Sequence, residues 1–192
     1  YLFAGRLEQA HLETEVIPVR GAPPFELKIW VTRHGPVVAE EKGRYWALRW
    51  TAADATGYGF PFLDVNRARN WTEFRAALAR FVGPAQNFVY ADREGHIGYQ
   101  VAGRLPIRKA HRGDLPADGA SGEHEWQGYI PFEELPSVFD PPSGIIVTAN
   151  QNPFPVDYRY PVNGSFAPHY RAAQIRALLS GRGGWRAEEM LA

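Results

Sequence analysis

The stretch that decides the fold reads Asn87-Phe88-Val89-Tyr90-Ala91-Asp92, followed after two residues by Gly95-His96-Ile97-Gly98-Tyr99. Apolar and aromatic residues lie on both sides of a polar turn, Asp92-Arg93-Glu94-Gly95. Two β-prone runs separated by a short polar segment containing glycine are typical of a β-hairpin. The sequence therefore predicts an antiparallel hairpin over residues 85–103.

The residues before this hairpin also favour strands. Rough period-2 alternation of apolar and polar residues predicts strands over residues 11–20, 25–33 and 44–50. In the second of these, the apolar side chains Leu27, Ile29 and Val31 share one face of the strand, opposite Lys28, Trp30 and Thr32.

Helical patterns are fewer. Asn70 followed by Glu73 is a good helix start, and the spacing of the apolar residues predicts a helix over 71–81. A second helix is predicted over 168–180, a short one near Phe62, and a further one beginning at about Trp185. The segment 104–142 is predicted to be a long ordered loop, and Ile145–Thr148 a strand. The predicted fold class is α+β, with antiparallel sheets covered by the 71–81 and 168–180 helices.

Composition limits the function classes. The 192 residues contain 21 basic and 21 acidic side chains, so no net charge favours nucleic acid. No apolar run approaches the ~18 residues that a membrane span needs. The chain has no cysteine, which excludes thiolate chemistry. Six histidines show no paired metal-ligand spacing. The sequence therefore predicts neither a nucleic-acid partner, nor a membrane span, nor a metal site.

The two ends resemble cut points. Tyr1-Leu2-Phe3 starts inside an apolar stretch, and the last residues resemble the first turn of a helix. We therefore expect the chain to be an internal piece of a longer polypeptide.

One segment carries residues suited to catalysis. The apolar run Ile145-Ile146-Val147 leads into Asn150-Gln151-Asn152-Pro153. A fixed carboxamide NH2 can stabilise the oxyanion of acyl transfer where water is excluded. Asparagines before a proline are also common turn formers, so the residues alone leave both interpretations open.

The chain resembles the penicillin acylase (penicillin amidase) family of N-terminal-nucleophile hydrolases through five motifs in order. They are residues 90–99, Gly103-Arg104-Leu105-Pro106, the run from Glu125 to Pro136, Asp140-Pro141-Pro142-Ser143-Gly144, and the Asn-x-Asn segment. The resemblance implies that the chain is part of a four-layer αββα sandwich. It also implies that residues 1–192 are one segment of a larger catalytic β subunit, whose nucleophile-bearing N-terminal part and C-terminal part lie outside the segment.

In such enzymes an N-terminal Ser, freed by self-cleavage, attacks an amide and uses its own α-amine as the base. The resemblance therefore implies a parent protein that removes an acyl group from an amide. The isolated segment, which starts at Tyr1, is expected to be inactive.

The resemblance also assigns roles to individual residues. Asn152 matches the asparagine that donates to the oxyanion, and Asn150 would brace the end of the strand. Arg171 matches an arginine that orients this site. Phe62 and Gln86 match positions that line the acyl pocket; glutamine stands there in place of the usual apolar residue, which argues against a phenylacetyl-like acyl group.

The implied partners are a small acyl amide and the remaining α and β portions of the parent acylase, and the implied location is periplasmic or secreted. Calcium would be a structural ion of the parent. Because Ca²⁺ takes six to eight oxygens, we expect no cofactor held by this segment alone, although its last acidic ligand would fall within residues 157–163.

Two other classes fit the residues. A carbohydrate- or peptide-binding module would explain the many aromatic side chains and would present coplanar aromatics along a groove. A purely structural domain would leave Asn152 without an open pocket.

Overall fold

The computed structural model describes residues 1–54 and 59–191. Two compact units share the chain: residues 1–54 with 106–128, and residues 59–105 with 129–191. Within the described ranges, no helix is long and apolar enough to cross a membrane.

The strands are β1 (Leu2–Phe3), β2 (Arg6–Leu7), β3 (His11–Ile17), β4 (Phe25–Thr32), β5 (Gly35–Glu41), β6 (Arg44–Ala47), β7 (Gln86–Ala91), β8 (Ile97–Ala102), β9 (Pro106–Arg108), β10 (Trp126–Tyr129) and β11 (Ser137–Phe139). The α-helices are α1 (Phe62–Arg67), α2 (Trp71–Leu78) and α3 (Tyr170–Ser180), and short 3-10 helices span Thr51–Ala53, Phe132–Glu134 and Ala187–Leu191.

The first unit contains an antiparallel sheet with the strand order β3-β4-β5-β6. Three of its strands were predicted, whereas β5 was missed. The predicted alternation along β4 is confirmed, since Leu27, Ile29 and Val31 are half-buried whereas Lys28 and Trp30 are exposed. No residue of these four strands is buried. The two helices predicted to cover the sheets form as α2 and α3 in the second unit, and their cover over this sheet stays a prediction.

The second unit contains the predicted hairpin. Strands β7 and β8 pair antiparallel from Gln86↔Ala102 to Ala91↔Ile97. The Asp92 carboxylate closes the turn by accepting hydrogen bonds from the backbone N–H groups of Glu94 (2.9 Å) and His96 (3.0 Å). Strand β11 adds to the other edge of β8 and makes it the central strand.

The predicted helix start at Asn70 is also confirmed. Its Oδ1 accepts from the Glu73 backbone N–H at 2.9 Å, which satisfies one of the unpaired amides at the start of α2. Helix α2 packs on the hairpin and forms the core of this unit. The buried residues of this core are Phe74, Leu78, Phe81, Tyr90 and Ala102.

Two predictions for the second half of the chain are wrong, whereas the helix predicted over 168–180 is confirmed. The segment 104–142 is not one loop, because it contains β9, β10 and β11. Residues 145–148 form no strand: none of the described residues pairs with them, and β-branched residues give a propensity for strand without supplying a partner. Helix α3 forms where predicted but buries only Ala172, whereas Ile175 and Leu178 are exposed.

Candidate active site

The segment that contains the two asparagines is a braced loop. Asn150 has a φ of 64°, in the left-handed region that asparagine tolerates better than most residues. The side chain of Gln151 turns back on the loop: its Oε1 accepts from the backbone N–H of Ala149 at 2.6 Å, and its Nε2 donates to the carbonyl of Val147 at 3.1 Å. Gln151, which the sequence did not single out, therefore also braces this loop through its side chain.

Arg171 holds the same loop from helix α3. Its Nη2 donates to the carbonyl oxygen of Ala149 at 2.8 Å and to Oδ1 of Asn150 at 2.9 Å. The backbone N–H of Ala167, just before the helix, donates to the carbonyl of Asn150 at 2.7 Å. The structure thus brings Arg171 and Asn150 together, with the asparagine held through both its backbone and its side-chain oxygen.

Asn152 lies two residues further on and is exposed. Its Oδ1 accepts a hydrogen bond from the backbone N–H of Phe154 at 3.0 Å, an arrangement typical of an Asx turn. The carboxamide of Asn152 is therefore oriented by its own loop, and both side-chain hydrogen bonds of Arg171 go to residues 149 and 150 instead.

This arrangement can bind a negatively charged oxygen. The guanidinium of Arg171 polarises the Asn150 carboxamide through its oxygen, which leaves the NH2 group to act as a donor. Fixed N–H donors of this kind are the groups that stabilise tetrahedral intermediates in acyl transfer.

Phe62 and Gln86 lie at the border of one aromatic group in the second unit. Phe62 begins α1, is 48% exposed, and has its ring centroid 5.8 Å from that of Phe60 and 5.9 Å from that of Phe81. Gln86 begins β7 and is exposed, and it shares a strand face with Phe88, which packs edge-on against Phe81 at 5.2 Å. Phe62 therefore contacts Phe81, whereas Gln86 is related to Phe81 only through its strand neighbour Phe88. A neighbouring cavity of about 160 Å³ touches Phe81 but is lined by neither of them.

The calcium that the resemblance implies for a parent protein finds no ligand set here. Among residues 1–54 and 59–191, no three histidine, aspartate or glutamate side chains converge, and Asp157 is exposed. Because Ca²⁺ takes six to eight oxygens, including backbone carbonyls, the expectation that this segment alone holds no ion stays a prediction.

The first unit holds a separate cavity of about 290 Å³. Trp50 and Trp126 line it, together with Arg49, whose guanidinium lies 4.9 Å from the Trp126 ring centroid. Beside it, His34 Nε2 and Glu125 Oε1 lie 2.6 Å apart. This cavity is the feature that corresponds best to the aromatic-lined groove of a binding module.

Comparison with known proteins places the chain in a class of hydrolases. Its fold is α+β and resembles that of an N-terminal-nucleophile hydrolase, the thermostable penicillin G acylase from Alcaligenes faecalis, with a TM-score of 0.84 and 29% identity over 98% of this chain and 34% of the other. Residues 1–192 match the penicillin amidase family, so the chain belongs to that family.

Several relatives of the chain are named as acylases. The penicillin acylase 2 proenzyme of Pseudomonas sp. (strain SE83) is 36% identical over 176 residues, which are 90% of this chain and 23% of the relative. The acyl-homoserine lactone acylase QuiP of Pseudomonas putida (strain KT2440) is 32% identical over 95% of this chain and 22% of its own length. The penicillin G acylase of Escherichia coli is 29% identical over 87% of the chain and 20% of its own length. The chain thus spans less than a quarter of the length of each of these three relatives.

Proposed function

We propose that this chain is a segment of the catalytic β subunit of an acylase that hydrolyses a linear amide. The observation that carries the proposal is the contact between Arg171 and Asn150, which orients a carboxamide in a loop of a penicillin amidase family member. An N-terminal Ser outside this chain attacks the amide carbonyl, and its α-amine takes the hydroxyl proton. The carboxamide donates to the oxyanion that develops.

Two asparagines compete for that role. The family resemblance assigned it to Asn152, but the hydrogen bonds favour Asn150. Asn150 is the residue whose oxygen Arg171 holds, whereas the oxygen of Asn152 accepts from the Phe154 backbone within its own turn. A donor held by a cation from another element is the more rigidly placed, and preorganisation gives such groups their effect. We therefore assign the donor to Asn150 and keep Asn152 as its competitor.

The acyl group is proposed to lie against Phe62, with Gln86 at the border of the same aromatic group. Relatives bear names that specify either penicillins or acyl-homoserine lactones. Gln86 is exposed at the border of these rings and can offer its amide to a ligand, so it favours an acyl group that carries a hydrogen-bonding substituent over a plain phenylacetyl group.

The remaining parts of the proposal concern the parent protein. The rest of the α and β portions would complete the site, the parent would be periplasmic or secreted, and any structural calcium would be held by ligands outside this chain. The isolated 192-residue chain is expected to show no amidase activity. Turnover by the pure chain that responded to changes within it would exclude the N-terminal Ser.

The test is a pair of substitutions in the full-length parent enzyme. Asn150→Ala should lower kcat by roughly 10²–10³ with little change in KM, because the oxyanion exists only along the reaction path. Asn152→Ala should cost less, and Asn163→Ala, an exposed asparagine in the same part of the chain, serves as the control. A larger loss for Asn152→Ala would return the donor role to Asn152. Full activity of both variants would refute the assignment of this loop to the active site.

A further inference from the structure

The two loops that meet at the candidate donor each carry a phenylalanine. The backbone N–H of Phe154 donates to Oδ1 of Asn152, and Phe166 directly precedes Ala167, whose N–H donates to the carbonyl of Asn150. The two rings contact each other edge-on, with centroids 6.3 Å apart. This aromatic pair, Phe154 and Phe166, is therefore tied by backbone hydrogen bonds to the same short segment that holds the carboxamides.

The pair is supported from behind. The ring of Phe154 packs on Tyr158 at 5.0 Å, and Tyr158 donates its hydroxyl proton to the carbonyl of Glu134 at 2.8 Å. Burial raises the pKa of Tyr158 to about 12, so the hydroxyl remains a donor throughout the working range of an enzyme. Tyr160 and Arg159 both bind the Glu134 carboxylate, at 2.9 and 3.0 Å. These contacts hold the segment behind Phe154 against Glu134 in the same unit.

Within the part of the chain that the structure describes, the pair is only partly buried. Phe154 is half-buried, Phe166 is 36% exposed, and neither belongs to the buried core around Leu78. Tyr170, next to Arg171, is 82% exposed. A partly exposed aromatic surface that packs on Tyr158, follows Asn152 by two residues and is joined to Asn150 through Ala167 is suited to contact a bound molecule.

We propose that Phe154 and Phe166 contact the amine half of the amide substrate and select amines with an aromatic or apolar body. The inference depends on the proposed function above. A donor to the scissile carbonyl oxygen lies close to both substituents of the carbonyl carbon. The acyl substituent is assigned to the aromatic group around Phe81, whose members Phe62 and Phe88 belong to α1 and β7 and which follows the end of α2. The aromatic pair belongs to different loops, so it meets the other substituent, the amine.

The experiment uses the full-length parent enzyme and a small matrix of substrates. One acyl group is joined to p-nitroaniline or to methylamine, and octanoyl and phenylacetyl groups are compared on a single amine. The variants are Phe154→Ala and Phe166→Ala, with Val156→Ala as the control because Val156 is fully exposed in the same loop. We expect the phenylalanine variants to lower the ratio of kcat/KM for the anilide over the methylamide by about tenfold, which is the loss of a well-packed aromatic contact. The ratio for octanoyl over phenylacetyl should not change.

The outcomes separate this inference from the proposed function. An unchanged anilide preference in both variants would overturn it, and so would a shift confined to the acyl preference. If an alanine variant does not fold, Phe154→Leu and Phe166→Leu, which keep most of the apolar volume, replace it. The ratio of kcat/KM for the anilide over the methylamide is then measured with these variants. If Asn150→Ala and Asn152→Ala are both fully active, the proposed function fails by itself, whatever the anilide ratio shows.

Discussion

Gly98 lies directly beneath the indole ring of Trp71, so closely that a Cβ on residue 98 would come within 2.5 Å of Cζ3. In the sheet, Gly98 is flanked by Tyr90 on β7 and Phe139 on β11. The Trp71 ring lies 5.5 Å from the ring of Tyr90 and 5.4 Å from that of Phe139. The missing side chain at position 98 thus leaves the space that lets helix α2 pack on the hairpin.

Gly98→Ala should destabilise this unit by about 1–3 kcal/mol, because a methyl group forced into a packed site displaces its neighbours. Hydrogen exchange of the α2 and hairpin amides in the full-length parent would measure the loss. Gly183→Ala is the matched control, since a Cβ there meets nothing within 4 Å. Equal protection in both variants would show that the ring can move aside freely.

Gln100 is fully buried, and its Oε1 accepts from Nε of Arg75 at 2.8 Å. Gln100→Leu should cost about 1–3 kcal/mol in the free energy of unfolding, because it leaves a partly buried guanidinium N–H without its acceptor. Gln174→Leu on the exposed face of α3 should cost far less. Adding Arg75→Met to Gln100→Leu should recover part of the loss in a double-mutant cycle of denaturation measurements. A cycle without coupling would show that the hydrogen bond contributes nothing.

His96 at the hairpin turn should make local stability depend on pH. Its Nδ1 lies 2.6 Å from Oδ2 of Asp140, and this hydrogen bond raises the pKa of His96 although burial opposes the shift. The pKa of Asp140 is lowered, first by a hydrogen bond from the backbone N–H of Ile97 and also by His96. A raised histidine pKa stabilises the fold below its unfolded value of about 6.5, and this contribution is lost as pH rises through the folded pKa. A lowered aspartate pKa stabilises above about 3.9 and is lost as pH falls through the folded pKa.

The contact should therefore be strongest between about pH 4 and pH 6.5. Hydrogen exchange of residues 92–102, corrected for the intrinsic rate, should show protection that weakens above this window. In His96→Asn, these amides should be less protected within the window, and their protection should no longer weaken as the pH rises above it. A variant that retains the same decline would show that another group causes it.

Gln86 provides a test of acyl selectivity. Gln86→Leu should raise kcat/KM of the parent enzyme for phenylacetyl amides relative to 4-hydroxyphenylacetyl amides by about tenfold, because a site built to bind a hydroxyl is replaced by an apolar one. Gln127→Leu, an exposed glutamine of the first unit, is the control. An unchanged ratio would place Gln86 outside the acyl pocket.

The sequence by itself determined the local elements with strong periodic or capping signals. The hairpin with its Asp92 turn, the helix start at Asn70 and the alternation along β4 depend on contacts between residues close in the chain, and all three are confirmed. The family was also evident from five motifs in order, and the family match confirms it.

The tertiary structure decided which elements meet. Strands β9, β10 and β11 are short and irregular in sequence, and they are strands because a neighbour pairs with them. The segment Ile145–Thr148 shows the reverse case. Its residues have a high propensity for strand, but none of the described residues pairs with them. The propensity for strand is a local property of a segment. A strand also needs a second segment to pair with, and the residues of the first segment do not specify where that partner lies.

The candidate site shows the same division. The sequence identified Asn150, Asn152 and Arg171 as residues of interest, but not which asparagine Arg171 holds. Which asparagine Arg171 binds depends on where α3 begins and on the left-handed backbone conformation of Asn150. Together these bring Nη2 of Arg171 within hydrogen-bond distance of the Asn150 carboxamide. Hydrogen bonds act over about 3 Å, so a two-residue difference in register changes the partner entirely.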